Sequence, residues 1–498
     1  MRSLFFLKNI IVWSFLTSVS VFSQKYEIGV ALKSRNDTVI LGHYFAKGDL
    51  LVSDDTVVLK NGKGVLRGEK KLPKGVYFIF NDKKKFDIII GDNQQFSIIA
   101  DTSDFIHRMK FASSPENDVF YEFQRYKVDL DKQVRQLNEQ IRNATADADR
   151  NAARTKLQTL YREHIDYIEN LADAHKDLYV SKFLRTLVPS NAHLPEPPRD
   201  DQGRITDSTY VYRWYRAHFF DNLNIYDPDM LRTPLYEEKV LEYINRVIPQ
   251  QTDTVCAEAD KILTKVHSND EIFRCILVSI FNYFAGSKTL RQGDLIPENV
   301  KLYLAEKWYI PYAAWSSSEF TERLKKEVKD NQANRMGFPA PPIEPLIVLS
   351  PEHFKAAALD TAIKFDIYAG KVIQDFRKEL KSKHTILFFW DVTCGHCKQA
   401  IQELQNVWDE NKADGWQLIA VQVLTSKEGK GKWIDFVNEH NMFGWINAWS
   451  PYAYSADNYY KETYNLETVP KMFLLDENSI IVLKNIVPEQ LKEIIPKK

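Results

Sequence analysis

The 498-residue chain is short of cysteine, of excess charge and of long apolar runs, and each shortage excludes a class of protein. Four cysteines cannot staple a chain of this length, so it is no disulfide scaffold. With 66 Lys and Arg against 67 Asp and Glu, the net charge of −1 gives no electrostatic case for a nucleic acid or an anionic membrane as partner. No internal repeat of fixed period occurs, which leaves a regular helical solenoid unsupported. Beyond the first residues no stretch approaches the roughly 20 apolar residues of a spanning helix, so no transmembrane segment is expected in the mature chain.

The beginning of the chain reads as an address. Arg2 and Lys8 precede the uncharged, mostly apolar run Ile10 to Phe22, and small residues at Val21 and Ser23 stand before Gln24. This pattern predicts a secretory signal peptide over 1–23 and a periplasmic or otherwise exported protein, soluble once the peptide is removed. No cysteine precedes Cys256, so lipid attachment at a mature N-terminal cysteine is excluded.

At this length about three domains are expected. Over 24–112 the sequence reads as a small antiparallel β-domain, a sandwich or open barrel. Its runs are Tyr26 to Leu32, Thr38 to Phe45, Asp54 to Leu59, Val76 to Phe80, Phe86 to Ile90 and Gln95 to Ala100, with Asn61-Gly62 as a tight turn. His43 and His107 are isolated and read as packed or surface residues. Over 113–334 the chain reads as helical. Ser114 and Pro115 open a helix in which Val119, Phe123, Tyr126, Leu130, Val134, Leu137 and Ile141 step by three and four. Leu157, Tyr161, Ile165, Ile168 and Leu171 repeat the pattern, predicting an antiparallel hairpin with Asp147 to Lys156 as its solvated turn. After a proline-rich loop near Pro195, a helix capped by Thr233-Pro234 runs to about Val247. More are expected at Val255 to Val266, Glu271 to Phe284, Pro297 to Trp308 and Ser318 to Lys329. Cys256 and Cys275 lie on two of these and read as buried thiols, with a structural disulfide between them as the alternative. Pro339, Pro341, Pro342 and Pro345 then form a linker into a domain over 335–498.

The chemistry concentrates at Trp390-Asp391-Val392-Thr393-Cys394-Gly395-His396-Cys397-Lys398. The apolar run Ile386 to Phe389 predicts a strand, and Ile401, Leu404 and Trp408 predict a helix from Lys398. Cys394 should therefore cap a helix start, where unpaired amides and the helix dipole favour a thiolate over a thiol. Zinc at this pair would need two more ligands, and no second close cysteine pair supplies them.

These residues resemble the thioredoxin superfamily, whose Cys-x-x-Cys stands at a strand-to-helix junction. A second motif carries the same resemblance. Tyr464 to Asp476, with Val469 before Pro470 and Pro470 73 positions after Cys397, is similar to the segment in which a cis-proline precedes the last hairpin. Strand signals at Trp416 to Leu424 and Lys471 to Leu475 and a final helix Pro488 to Ile495 fit the same fold. The order of parts resembles TlpA-like envelope thiol-disulfide oxidoreductases with a β-domain and a helical domain ahead of the thioredoxin fold. The implied fold class is multidomain, with an all-β N-terminal domain, an all-α middle domain and a C-terminal α/β thioredoxin fold.

The resemblance implies catalytic roles for Cys394, the attacking thiol, and Cys397, the resolving thiol. It implies redox tuning by Gly395 and His396, and binding of an extended substrate peptide by the backbone at Val469 and Pro470. It implies no metal and no cofactor; the partners are protein thiols or disulfides and a separate upstream electron donor. A histidine between the cysteines is similar to the CGHC of protein disulfide isomerase, at about −180 mV, rather than to thioredoxin, at about −270 mV. Reductase, oxidase and isomerase directions all stay open. Three positions depart from the family: Thr393 replaces a tryptophan, Phe388 a buried acid, and Ala400 a glutamate found in some TlpA-like reductases. Asp391 reads as a substitute proton acceptor or a solvated carboxylate, and Glu403 points elsewhere on the helix. Trp445, Trp449, Tyr452, Tyr454 and Tyr459 read as core residues, some able to line a peptide groove. The competing reading is an envelope binding or scaffold protein whose thioredoxin-like domain holds only a structural disulfide.

Overall fold

The computed structural model describes residues 25–32, 38–81, 84–101, 103–286, 296–343, 345–366, 368–411, 415–424, 426–450 and 460–494. The expected signal peptide and Tyr452, Tyr454 and Tyr459 lie outside them. The chain forms two packed units that meet in sequence between Lys239 and Val240, within the helical part.

The first unit begins with eight strands: β1 (Tyr26–Leu32), β2 (Thr38–Phe45), β3 (Lys47–Val58), β4 (Lys63–Gly68), β5 (Gly75–Asn81), β6 (Lys84–Ile90), β7 (Gln95–Ala100) and β8 (Lys110–Ala112). They make two four-stranded sheets, ordered β4-β1-β7-β8 and β3-β2-β5-β6. Alternation drives the pattern: Tyr26, Ile28, Val30 and Leu32 of β1 are buried, while the residues between them are more open. Asn61 and Gly62 turn β3 into β4 with φ of 52° and 75°, values that asparagine and glycine tolerate. The sheets are not wholly antiparallel as expected, because β1 pairs in parallel with β7. The chain reaches β7 from the other sheet rather than through a hairpin, so nothing forces reversal. Strand β3 starts at Lys47, well before the expected Asp54; it is an exposed edge strand with no buried face to impose alternation.

Two long helices follow, α1 (Pro115–Asn143) and α2 (Asp147–Ala174), then α3 (Tyr179–Thr186), α4 (Tyr210–Ala217) and α5 (Tyr236–Glu242). The rings of Tyr126 and Tyr167 stack at 3.7 Å where α1 and α2 meet. The run Asp147 to Lys156 is not the turn but the first turns of α2, where Asp147 and Asp149 suit the positive helix end. The turn is only Ala144 to Ala146. Ser114 precedes α1 without bonding its amides; its hydroxyl accepts instead from Asn117 Nδ2 at 2.8 Å. Buried Glu116 reaches across to accept from the amides of Tyr179 at 3.0 Å and Val180 at 2.7 Å, satisfying two donors at the start of α3.

The second unit takes up the chain within α5 and continues with α6 (Thr252–Val266), α7 (Asp270–Gly286), α8 (Ile296–Leu304), α9 (Ile310–Tyr312) and α10 (Ser318–Gln332). A π-helical turn, Tyr243–Val247, comes just before α6, and a second, Ala305–Tyr309, joins α8 to α9. The rest is an α/β fold. Its strands are β9 (Leu346–Leu349), β10 (Lys371–Ile373), β11 (His384–Trp390), β12 (Trp416–Gln422), β13 (Ile446–Trp449), β14 (Lys471–Asp476) and β15 (Ile481–Lys484). They form one sheet in the order β10-β9-β13-β12-β11-β14-β15. Strands β11, β12 and β13 are parallel, and β14 and β15 complete it as an antiparallel hairpin. Its helices are α11 (Pro351–Leu359), α12 (Thr361–Phe365), α13 (Phe376–Glu379), α14 (Gly395–Asn411), α15 (Lys427–Glu439), α16 (Tyr460–Thr463) and α17 (Pro488–Ile494). Two apolar layers cover the sheet, one containing Phe388, Trp390, Cys397, Ile401 and Trp433, the other Phe389, Val421, Tyr464 and Phe473. Burial on both faces explains why β11 is apolar without a break from Ile386 to Trp390. An all-β start, a helical middle and a C-terminal α/β domain thus follow one another along the chain.

Candidate functional site

Strand β11 ends at Trp390, and the chain turns over Asp391, Val392 and Thr393 before α14 begins at Gly395. Asp391 shapes the turn. One carboxylate oxygen accepts from the Thr393 amide and the Thr393 hydroxyl, both at 2.7 Å, and the Cys394 amide donates to the Asp391 carbonyl at 3.1 Å. Cys394 is thereby placed as the helix N-cap. The amide of Cys397 donates to its sulfur at 3.3 Å, as N-cap oxygens accept from the third helical residue. A thiolate there would gain both this amide and the positive helix end.

The two cysteines live in different surroundings. Cys394 is half-buried, while Cys397 is fully enclosed in the apolar layer. Burial pushes the Cys397 thiol far above its ordinary range, and the sulfur of Cys394 beside it pushes further.

From the other side comes the segment after α16. The Val469-Pro470 bond is cis, and the Cys394 thiol points at the Val469 carbonyl with 3.6 Å between sulfur and oxygen. Cys394, Cys397, Val469 and Pro470 therefore gather at one end of the sheet. Gly395 and His396 are exposed on the first turn of α14.

Phe388 and Ala400 are both buried, so apolar groups fill the two places where the family resemblance leads one to expect acids. Glu403 accepts from Gln399 at 3.1 Å along its own helix. Sequence reasoning missed Lys461. Half-buried on α16, its amine has its pKa lowered by burial, an effect that the nearby negative charge of Asp391 opposes. No local pattern links two residues 70 positions apart. Trp445 and Trp449 are core residues, in the layer that holds Cys397. Cys256 and Cys275 are buried thiols without a disulfide, and burial, with Asp260 and Asp253 nearby, pushes Cys256 up to about 12. Among the described residues no three His, Cys, Asp or Glu gather as a metal site, and no helix is long and apolar enough to cross a membrane.

Residues 382–481 match the family described as "Thioredoxin-like". The C-terminal domain is thioredoxin-like. Residues 26–120, covering the β-domain, match "Domain of unknown function (DUF4369)". No curated protein matches the chain. Among solved structures, a thioredoxin-like protein from Bacteroides caccae is 16% identical over 61% of this chain and 97% of its own, with a TM-score of 0.35. A domain of a possible thiol-disulfide isomerase from Cytophaga hutchinsonii is 26% identical over 32% of this chain and 89% of its own, with a TM-score of 0.24. The thioredoxin domain of a thiol-disulfide oxidoreductase from Bacteroides vulgatus is 19% identical over 32% of this chain and 94% of its own, with a TM-score of 0.25.

Proposed function

We propose that this chain is an exported thiol-disulfide oxidoreductase of the TlpA-like kind, working on protein substrates in the periplasm or elsewhere outside the cytoplasm. One observation carries the reading: the Cys394 sulfur, half-buried, sits between the Cys397 amide and the carbonyl before Pro470. The leader-like pattern over 1–23 supports export.

In the reductive direction the Cys394 thiolate attacks one sulfur of a substrate disulfide. The substrate S–S bond breaks, its departing sulfur takes a proton, and a Cys394-substrate disulfide forms. Cys397 then loses its proton and attacks the Cys394 sulfur, releasing the second substrate thiol. Two electrons and two protons pass to substrate, and a Cys394-Cys397 disulfide remains. An upstream dithiol donor resets it, or the same steps run backwards to oxidise a substrate. The high pKa of buried Cys397 keeps it protonated until the mixed disulfide forms, which orders the two attacks. The backbone at Val469 offers hydrogen bonds to an extended peptide lying beside Cys394. Exposed His396 tunes the couple from its place on the first turn of the helix.

The test is trapping. Cys397→Ala keeps the attacking thiol but removes its resolver, so an envelope extract should yield adducts on non-reducing gels that dithiothreitol dissolves and that Cys394→Ala abolishes. An extract without such adducts, together with a couple below about −300 mV, would favour a structural disulfide and the scaffold reading.

A further inference from the structure

The segment that carries Val469 is held from behind by residues that precede the thioredoxin-like sheet in sequence. Asn334, two residues beyond the end of α10 and fully packed, donates through Nδ2 to the Thr463 carbonyl at 2.7 Å. Its Oδ1 accepts from Lys484 Nζ at 3.0 Å. That amine, almost wholly buried on β15, also donates to Asn331 Oδ1 at 2.6 Å and pairs with the Glu298 carboxylate of α8 at 2.5 Å. A second hold lies at the surface, where Lys326 of α10 meets Glu467 at 2.9 Å and Asp330 at 2.7 Å. Glu467 is two residues from Val469. Between these holds the Tyr464 hydroxyl donates to the Pro341 carbonyl at 2.6 Å, and Lys471 Nζ donates to the Asn465 carbonyl.

We infer that Asn334 and Lys326 are positioning residues for the peptide-binding segment, so that the end of the helical part sets where the Val469 backbone stands relative to Cys394. The inference rests on the reading of Cys394 and Val469 as the exchange site. A buried amide donor to a main-chain carbonyl, itself fixed by a buried ammonium, has one favourable arrangement. Losing it lets the 463–469 segment drift, and the drift is felt by a substrate that pairs with backbone there. A small disulfide that only meets the Cys394 sulfur does not feel it. The helical part thereby belongs to the substrate-binding apparatus, and its contribution appears in KM for peptides.

The experiment uses the full chain with dithiothreitol as electron donor and two substrates, a disulfide-bridged peptide and hydroxyethyl disulfide. Asn334→Ala should raise the peptide KM about tenfold, the scale of one lost buried hydrogen bond, and leave kcat and the hydroxyethyl disulfide rate within about twofold. Lys326→Glu sets a like charge against Glu467 without touching the core. It should raise the peptide KM about two- to threefold at low salt, less at 1 M salt, and the Lys326→Glu, Glu467→Lys pair should restore it. If Asn334→Ala does not fold, the Lys326 variants decide alone. An unchanged peptide KM in the folded variants, or equal loss on both substrates, overturns the positioning role. An unaltered protein inert toward both substrates would instead overturn the exchange site itself.

Discussion

The Cys394 sulfur and the Val469 carbonyl oxygen lie 3.6 Å apart although 75 residues separate them in sequence. Strand register brings them together. β11 and β14 run antiparallel with Phe389 opposite Lys471, so the residues leaving β11 and those entering β14 meet at the same sheet end. Any slip in this register would separate the thiol from the proline segment.

Selective alkylation follows from the unequal burial of the four thiols. Iodoacetamide at pH 7 to 8 should modify Cys394 at least about tenfold faster than Cys397, Cys256 or Cys275, because only Cys394 is partly open and the thiol of Cys256 is pushed up to about 12. Peptide mass spectrometry after timed quenching reads the order. Faster labelling at Cys256 would contradict the assignment of the nucleophile.

His396→Pro should make the couple more reducing. An imidazole beside the helix start stabilises the thiolate, which exists only in the reduced form, so removing it lowers the reduction potential. The span between protein disulfide isomerase and thioredoxin, roughly 90 mV, bounds the change. Because His396 is exposed, water screens it and the shift should be smaller than that bound. Equilibration with glutathione measures it, and an unchanged potential would mean that the helix-start amides alone set the poise.

Acid should weaken the fold partly through Asp375. Both of its carboxylate oxygens bond the Arg377 guanidinium, at 2.8 Å and 3.0 Å, and this holds its carboxyl down at about 2 against an ordinary 3.8. A carboxyl depressed in the folded state contributes stability above its unfolded value, lost as pH falls from about 4 through about 2. Asp375→Asn keeps a cap for α13 but removes the charge. Urea unfolding should show the variant less stable by about 1 to 2 kcal/mol at pH 6, allowing for partial solvent screening, with the gap closing near pH 2. A gap that stays constant with pH would assign the loss to packing.

Lys484→Met should cost about 2 to 4 kcal/mol, since it strands the Glu298 carboxylate and the oxygens of Asn331 and Asn334. Adding Glu298→Gln should recover part of the loss, because no unpaired charge is then left behind. Urea midpoints of the two variants give the comparison. A double variant no better than the single would show that the ammonium matters for its bonds to the two asparagines rather than for its pairing with Glu298.

What could be read in advance depended on whether the signal was local. The chain before Cys394 is apolar from Ile386 to Trp390 and the helix after it repeats by three and four, so the strand-to-helix junction was legible from a dozen residues. Strands β1, β2 and β7 start and end where the β-rich runs do. Strand β3 did not announce Lys47 to Ser53, because an exposed edge strand needs no alternation. The charges from Asp147 to Lys156 looked like a turn but lie on a solvated helix face, which tolerates them equally well. The polar cluster around Lys484 was invisible for another reason. Its partner Asn334 stands 150 residues earlier, and a lysine on a β-rich stretch reads as surface until its neighbours are known.

The buried ammonium of Lys484 also bears on modularity. Cutting the chain at the prolines from Pro339 to Pro345 would release a complete seven-stranded sheet, yet strip Lys484 of Glu298, Asn331 and Asn334 together. The edge strand β15 would then show water an amine shaped for an enclosed niche, and α16 would lose the donor on Thr463. The thioredoxin-like domain of this protein is therefore not a cassette that could be moved into another chain at its proline seam. The portable piece must begin ahead of Glu298, taking α8, α9 and α10 along as part of its hull.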